Sequence, residues 1–283
     1  MKVAIIGSRG QLGSDLVKVF ESEMVIPLAH EDIEVTDYGS CAKLNNLSPD
    51  VMINTAAFHK TDACEDDPFK AFSVNAVGSK NVAQICRKIG AVYVYISTDY
   101  VFDGTKGKPY TEGNPMSPIN TYGISKVAGE HYAKFAERYY IIRVSSLFGV
   151  AGASGKGGNF VETMIQKAEK REEIKVVDDM VMSPTYTKDA ALMIKNIVVD
   201  KLPFGVYHCS NKGYCSWYEF AKSIFESLNL DANLKQIKTE DLIQKVKRPK
   251  FSALESEKLE KYGLEMQEWR EALREYLKEK GHL

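Results

Sequence analysis

Apolar positions along this chain alternate between two patterns. Short, nearly continuous apolar runs, rich in β-branched residues, occur at Lys2 to Ile6, Met24 to Leu28, Asp50 to Asn54, Ala91 to Ile96 and Tyr140 to Val144. Runs of this kind are expected of strands buried on both faces of a parallel sheet. Between them the period lengthens to that of a helix over Ser14 to Phe20 and Tyr38 to Leu47. A long amphipathic helix is predicted over Pro68 to Ile89, with Asn75 on it. A proline- and glycine-containing loop from Lys106 to Asn120 leads into a helix that carries Tyr122 and Lys126. Further helices are predicted over Phe160 to Lys170, Lys188 to Ile197, Trp217 to Leu228 (with Ser216 as N-cap) and Trp269 to Lys280, and a short strand over Gly205 to Ser210. Strands alternating with helices predict an α/β fold with a doubly wound parallel sheet, whose ligand crevice lies outside the carboxyl ends of the strands. Gly149 to Gly158 holds five glycines in ten residues and predicts a mobile loop, a lid or a domain boundary. The expected division is residues 1–150, joined by part of 185–210, and a smaller domain over 151–283.

The length of 283 residues allows one large or two unequal domains, and 44% hydrophobic with 27% charged residues is ordinary for a globular chain. A net charge of −1 gives no basis for nucleic acid or an anionic membrane as partner. The five cysteines are odd in number and form no C-x-x-C, which argues against a disulfide framework or a zinc site. No apolar run is long enough to span a bilayer, and Met1-Lys2 runs straight into the first strand, so a reducing cytoplasm is expected and no leader. His59, Asp62, Cys64, Glu65 and Asp66 match no metal-ligand spacing; they read as acids complementing a helix dipole, and no metal is expected.

Chemistry enters at the strand ends. Gly7-Ser8-Arg9-Gly10-Gln11-Leu12-Gly13 follows the first strand and opens a helix, a setting in which glycines let backbone approach a pyrophosphate at a helix N-terminus. The second strand runs into Ala29-His30-Glu31-Asp32, so no acid is cleanly placed to read a ribose 2′-hydroxyl. Arg9 in the glycine loop points instead to a 2′-phosphate, and hence to NADP(H), with NAD(H) the alternative; a solvated loop charge would leave the choice open. Small residues after the third strand, Thr55-Ala56-Ala57-Phe58, let a ligand lie against the backbone. Tyr122 and Lys126 are one helical turn apart, so a positive charge stands near a phenol whose ordinary pKa is about 10 and favours its ionised form. Alone, that pair is a common accident. Just upstream, however, the fourth strand delivers Ser97-Thr98-Asp99, where Thr98 can hydrogen-bond a substrate carbonyl while Tyr122 supplies its proton. Lys245, Lys247, Arg248 and Lys250 form a basic cluster, either a solvated face or a contact for a diphosphate.

These pieces together resemble the extended short-chain dehydrogenases/reductases, and among them the dTDP-4-dehydrorhamnose reductases. The matching residues are Gly7 to Gly13, Asn54-Thr55-Ala56-Ala57, Ser97-Thr98-Asp99-Tyr100-Val101-Phe102, Tyr122-Gly123 with Lys126 and Gly129-Glu130, Arg143-Val144-Ser145, Gly158-Asn159-Phe160, Pro184-Thr185 and Arg248-Pro249. The resemblance implies a Rossmann domain with a smaller C-terminal α/β substrate-binding domain, and reduction of a 4-keto nucleotide sugar by NAD(P)H. It implies catalytic roles for Thr98, Tyr122 and Lys126. Cofactor contacts would come from Gly7, Arg9, Gly10, Gln11, Leu12, Gly13, His30, Ala56, Ala57, Phe58 and Asn75, together with Tyr122 and Lys126. Substrate contacts would come from Thr98, Asp99, Phe102, Ser146, Asn159 and Arg248. A nucleotide sugar is the expected partner, and a homodimer is compatible with the family. The departures fall on the substrate side: Ser146 stands where the family usually has Trp, and Asp179-Met180-Val181-Met182 where it usually has Asp-Gln-x-Gly. Two other uses of the fold stay open. One is a non-catalytic NADP-binding regulatory subunit resembling the methionine adenosyltransferase β subunit; the other is a nucleotide-sugar epimerase.

Overall fold

A strand that is apolar on both faces needs cover on both, and the short apolar runs obtain it by lying side by side between helices. In the computed structural model, which describes residues 1–152 and 158–283, the main sheet contains β1 (Lys2–Ile6), β2 (Met24–Leu28), β3 (Val51–Asn54), β4 (Val92–Thr98), β5 (Tyr139–Val144) and β6 (Gly205–His208). Their order is β6-β5-β4-β3-β1-β2, and every pairing in it is parallel. The order reverses between β1 and β3, which places the topological switch point at their carboxyl ends. The longer helices are α1 (Gln11–Val19), α2 (Gly78–Ile89), α3 (Thr121–Ala133), α4 (Phe160–Glu169), α5 (Thr187–Val199), α6 (Trp217–Leu228) and α7 (Trp269–Lys280).

Alternation along the strands divides the core. Val3 and Ile5 point to one face, where they pack with Leu12 and Leu16 of α1 and Ile194 and Ile197 of α5. Ala4 and Ile6 point to the other, against Val82 and Ile85 of α2. This is the doubly wound Rossmann arrangement. A second apolar cluster lies apart from the sheet and is built from α4, α6 and α7, with Val161, Ile165, Phe220, Trp269 and Tyr276 at its centre. Its own small parallel pair joins Ile174–Val177 to Leu234–Ile237. Neither strand is legible in the sequence pattern; Leu234-Lys235-Gln236-Ile237 is too short and half polar. Segment 187–209 returns to the large sheet, with α5 beside α1 and β6 beside β5. No helix among the described residues is long and apolar enough to cross a membrane. Of the glycine-rich stretch 149–158, residues 153–157 lie outside the described residues.

Two predicted helices differ in detail. The segment 38–47 is two short helices, Tyr38–Ala42 and Leu44–Leu47, and Asn45 Nδ2 takes the Ala42 carbonyl at 2.7 Å, offering the backbone a side-chain partner in place of a continuing helical bond. The helix predicted over 68–89 contains a π-helical turn at Ser73–Val77. That turn brings Asn75 fully inside, where its side chain bonds the Phe58 amide and carbonyl at 2.9 and 3.0 Å.

The lock between helix α3 and the sheet is an ion pair in the interior. Arg143 at the end of β5 meets Glu130 of α3 through Nε and Nη2 at 2.9 and 2.8 Å, with side-chain exposures of 3% and 1%. Ser97 Oγ also donates to Glu130 at 2.6 Å. Leaving one charge of such a pair uncompensated costs about 3–5 kcal/mol. Glu130→Gln is therefore expected to lower the unfolding free energy by roughly that amount in urea titration, and Arg143→Met added to it should recover part of the loss.

Candidate active site

The glycine loop is shaped by contacts that leave no room for side chains. Gly7 has φ +79°, and a Cβ there would lie 2.4 Å from Thr55 Oγ1; a Cβ on Gly13 would lie 2.1 Å from the Gly7 carbonyl oxygen. The loop is thereby drawn against β3 while α1 starts directly beneath it. Gly10 caps α1 without a side-chain hydrogen bond, and no acid stands in the helix's first turn. The amino end of α1 thus presents amide groups and positive dipole to a cleft of about 1170 Å³, lined by Gly7, Gly10, Gln11, Leu12 and Gly13. Gln11 Oε1 is buried there without a hydrogen-bond partner among the described residues. A backbone cradle closed to any Cβ and an unpaired buried acceptor fit a dinucleotide cofactor. Ala56, Ala57 and Phe58 line the same cleft across the switch point. Asn75, expected as a cofactor contact, is not among the lining residues; it is fully buried and holds the Phe58 loop in place from behind.

The end of β2 holds its polar residues in three ways. Asp32 turns back to accept from the Ala29 amide at 2.8 Å. His30 is highly exposed and lies 3.4 Å from Glu34. Arg9 forms an exposed ion pair with Glu31. All three of Arg9, His30 and Glu31 line the cleft. An exposed pair of this kind is worth about 0–1 kcal/mol, so Arg9 can exchange Glu31 for a phosphate at little cost.

Thr98, Tyr122 and Lys126 converge on the cleft floor. Asn120 caps α3, accepting from the Gly123 amide at 2.8 Å, which places Tyr122 in the first turn and Lys126 one turn on. Thr98 closes β4 and lines the cleft together with Tyr122. The expectation that Lys126 lowers the Tyr122 pKa does not match this geometry. Burial pushes the Tyr122 hydroxyl above the ordinary tyrosine range, opposed by Thr98. The Lys126 ammonium is engaged elsewhere: it donates to the Ile96 carbonyl at 2.6 Å and sits 4.1 Å over the Tyr95 ring. Burial pulls Lys126 itself down to about 7, with Glu130 acting in the opposite sense. Asp99 is buried beside Thr98, which donates to it at 3.0 Å, and burial raises its carboxyl to about 6.

On the far side of the cleft, Ser146 lines the wall with φ +42°, a left-handed conformation. Phe148, Phe160, Trp217 and Phe220 line the same cleft. Trp217 follows the N-cap Ser216 and was legible in the sequence only as the start of an amphipathic helix. Asn159 also lines the cleft and caps α4, while its amide donates to the Gly149 carbonyl and the Tyr276 hydroxyl, each at 3.0 Å. Two expected substrate residues do not line this cleft. Phe102 is fully buried and stacks on Tyr110 at 4.2 Å, because an aromatic ring at this turn finds more cover in the core than in the cleft. Arg248 faces a side cavity of about 440 Å³, lined also by Tyr100, Met180 and Trp217, where it pairs with Asp62 at 2.8 and 3.0 Å. Lys245 pairs with Asp66 and Lys250 with Asp179. Asp62 and Asp66, read as helix-dipole partners, thus pair with two members of the basic cluster.

The model of a family described as RmlD substrate binding domain matches residues 1–281. The chain belongs to this family. This RmlD-family chain is 40% identical to the spore coat polysaccharide biosynthesis protein SpsK of Bacillus subtilis (strain 168), covering 99% of this chain and 98% of that one. It superposes on a dTDP-4-dehydrorhamnose reductase from Clostridium acetobutylicum with a TM-score of 0.93 at 38% identity, covering 98% of this chain and 99% of that one. A dTDP-4-dehydrorhamnose reductase from Bacillus anthracis, solved in complex with NADP, gives the same TM-score of 0.93, identity of 38% and coverage of 98% and 99%.

Lys126 yields a stability test. Its folded pKa of about 7 lies below the ordinary 10.5, so between these values the unfolded chain holds the proton and the fold does not. Stability therefore rises with pH through this window. Lys126→Met is expected to remove about 1.4 kcal/mol per pH unit from the slope of unfolding free energy between about pH 7 and 10, measured by denaturant titration at each pH.

Proposed function

We infer that this chain is an NADPH-dependent reductase of a 4-keto nucleotide sugar, of the dTDP-4-dehydrorhamnose reductase kind, acting in nucleotide-sugar biosynthesis of the dTDP-rhamnose type. The observation that carries the reading is the convergence of Thr98, Tyr122 and Lys126 on the cleft that the glycine loop opens into. Support comes from likeness over nearly the whole chain to reductases named for that substrate, one of them solved with NADP.

The reduced nicotinamide, when bound, supplies the hydride to the sugar's keto carbon. Tyr122 donates a proton to the keto oxygen as charge develops there. Its raised pKa suits a donor that stays protonated until then. Thr98 holds the same oxygen, and Lys126 holds the nicotinamide ribose from the next turn of α3. Amides at the start of α1 hold the pyrophosphate, and Arg9 leaves Glu31 to hold a 2′-phosphate. The aromatic wall around Ser146 bounds the sugar, and with Ser in place of an indole it admits more than the usual ring. Five buried free thiols favour a reducing compartment, consistent with a cytoplasmic reaction.

The test is NADPH oxidation against a panel of 4-keto nucleotide sugars. Turnover supports the reductase; cofactor binding with no turnover on any member favours a non-catalytic NADP-binding subunit; product without net cofactor consumption marks an epimerase. Tyr122→Phe should keep cofactor affinity and lose roughly a hundred- to ten-thousand-fold in turnover, and near-normal activity would remove Tyr122 from the chemistry.

Arg9→Ala should raise the NADPH dissociation constant about tenfold or more with little change for NADH, since a charge-assisted contact contributes roughly 1.5–3 kcal/mol. Calorimetry with both cofactors decides it. Equal weakening of the two would make Arg9 a support of the loop or of the shared pyrophosphate.

A further inference from the structure

Trp217 is a large ring on the apolar stripe of α6 that the core leaves partly uncovered. The stripe continues through Phe220, Ala221, Ile224 and Phe225, all buried. Trp217, one turn before Phe220 and Ala221, is only half-buried. The chain's other tryptophan, Trp269, is fully buried. The backbone that carries the half-buried indole is held from two sides. Ser216 and Glu219 close a capping box, with bonds of 3.1 and 2.7 Å. The Trp217 amide donates to the Met180 carbonyl at 3.2 Å, and Cys215–Ser216 pairs antiparallel with Val181–Met182. The ring itself leans on Phe160, with centroids 4.7 Å apart.

The place of that ring matters. Among the described residues, Tyr100 and Trp217 are the two that line both the cleft and the side cavity that Arg248 faces. The Tyr100 ring meets the Tyr122 ring edge-on, with centroids 5.9 Å apart. The waist between the two cavities therefore opens one ring away from the phenol. A molecule with a ketone at Tyr122 and an anionic group at Arg248 has to pass between Tyr100 and Trp217. A nucleotide sugar has that form: a ring with apolar C–H faces, joined through two phosphates to a nucleoside. We propose that Trp217 is a specificity-determining residue whose indole holds the sugar ring at this waist, while the diphosphate continues past it to Arg248. A rigidly seated indole offers a broad apolar face at little cost in side-chain freedom. It holds the sugar beside Tyr122 and keeps water from the waist. A nucleoside diphosphate without its sugar reaches the side cavity alone and gains nothing from that stacking. The inference rests on the reductase reading and names the member of the aromatic wall that reads the sugar.

The experiment titrates the NADP⁺-loaded protein with dTDP-rhamnose, the product of the inferred reaction, and separately with dTDP. Calorimetry reads affinity, and tryptophan emission reads the indole. Trp217→Ala should raise the dissociation constant for dTDP-rhamnose about tenfold and that for dTDP by less than about twofold, with NADP⁺ affinity unchanged. Trp217→Phe, which keeps a ring against Phe160, should return dTDP-rhamnose affinity to within about threefold of the wild type. The emission change that dTDP-rhamnose causes in the wild type should vanish in Trp217→Phe, because the remaining Trp269 is fully buried. A general loosening of the smaller lobe would weaken both ligands together, so equal losses for dTDP-rhamnose and dTDP in Trp217→Ala overturn the proposal. So does an unchanged affinity for both, or an emission change that persists in Trp217→Phe, a reading that holds even where the alanine chain does not fold. Those outcomes leave the reductase reading intact. A wild type that binds no dTDP-rhamnose overturns the dTDP-rhamnose reading, and the role of Trp217 with it.

Discussion

Helix α3 has to be held hard against the carboxyl ends of β4 and β5, because it carries Tyr122 and Lys126 while the strand ends carry Thr98 and Ser145. Two contacts do this. A Cβ on Gly129 would lie 2.1 Å from the Tyr95 hydroxyl and 2.3 Å from the Asn75 carbonyl oxygen, so helix and sheet approach more closely than any other residue would allow. One position on, Glu130 closes the buried pair with Arg143. Burying two charges contributes little net stability but tolerates little displacement, since each hydrogen bond lost leaves a charge unsolvated. Glu130 is one turn beyond Lys126 and two beyond Tyr122, so the pair fixes the rotation of the helix face that reaches the cleft. Gly129-Glu130 and Arg143 act as the scaffold of the site and do not touch it.

Much of this was legible in sequence where one physical cause dominated. The β-branched runs are strands because their burial on both faces leaves no other period. The glycine loop reads correctly because its spacing is imposed by backbone contacts alone. Where two causes compete, the pattern misleads. Phe102 stands in a motif at a strand end, yet its stacking on Tyr110 outweighs any place in the cleft. Asn75 faces inward because a π-helical turn rotates it, and no periodicity announces an inserted residue. Lys126 is the instructive case: the spacing to Tyr122 is as expected, but the ammonium's partners, the Ile96 carbonyl and the Tyr95 ring, lie on a neighbouring strand that sequence distance cannot bring near.

The same holds for charge. Lys245, Arg248 and Lys250 read as a basic patch when only their own segment is considered. Across the fold they meet Asp66, Asp62 and Asp179. Exposed pairs of this sort contribute little individually, but the first two tie the C-terminal segment to the short helix Thr61–Asp66. Asn120, the cap of α3, joins the same seam by donating to the Lys247 carbonyl at 3.0 Å. The start of the Tyr122 helix is therefore anchored to residues more than a hundred positions away.

The chain's path between the two apolar cores has its own consequence. It leaves the large sheet after β5, returns as α5 and β6, leaves again with α6, sends Leu259 and Met266 back to the sheet side, and ends in α7 against the smaller core. Neither lobe is a contiguous piece of sequence. A chain cut near residue 150 would expose β5 as a bare edge and strip α1 of its neighbour, so the half that carries the glycine loop is not a separable module. Any opening of one lobe against the other must bend several strands of backbone in concert. A point change such as one at Ser146 alters the cleft wall and leaves that path intact, whereas exchanging one half for another would break it.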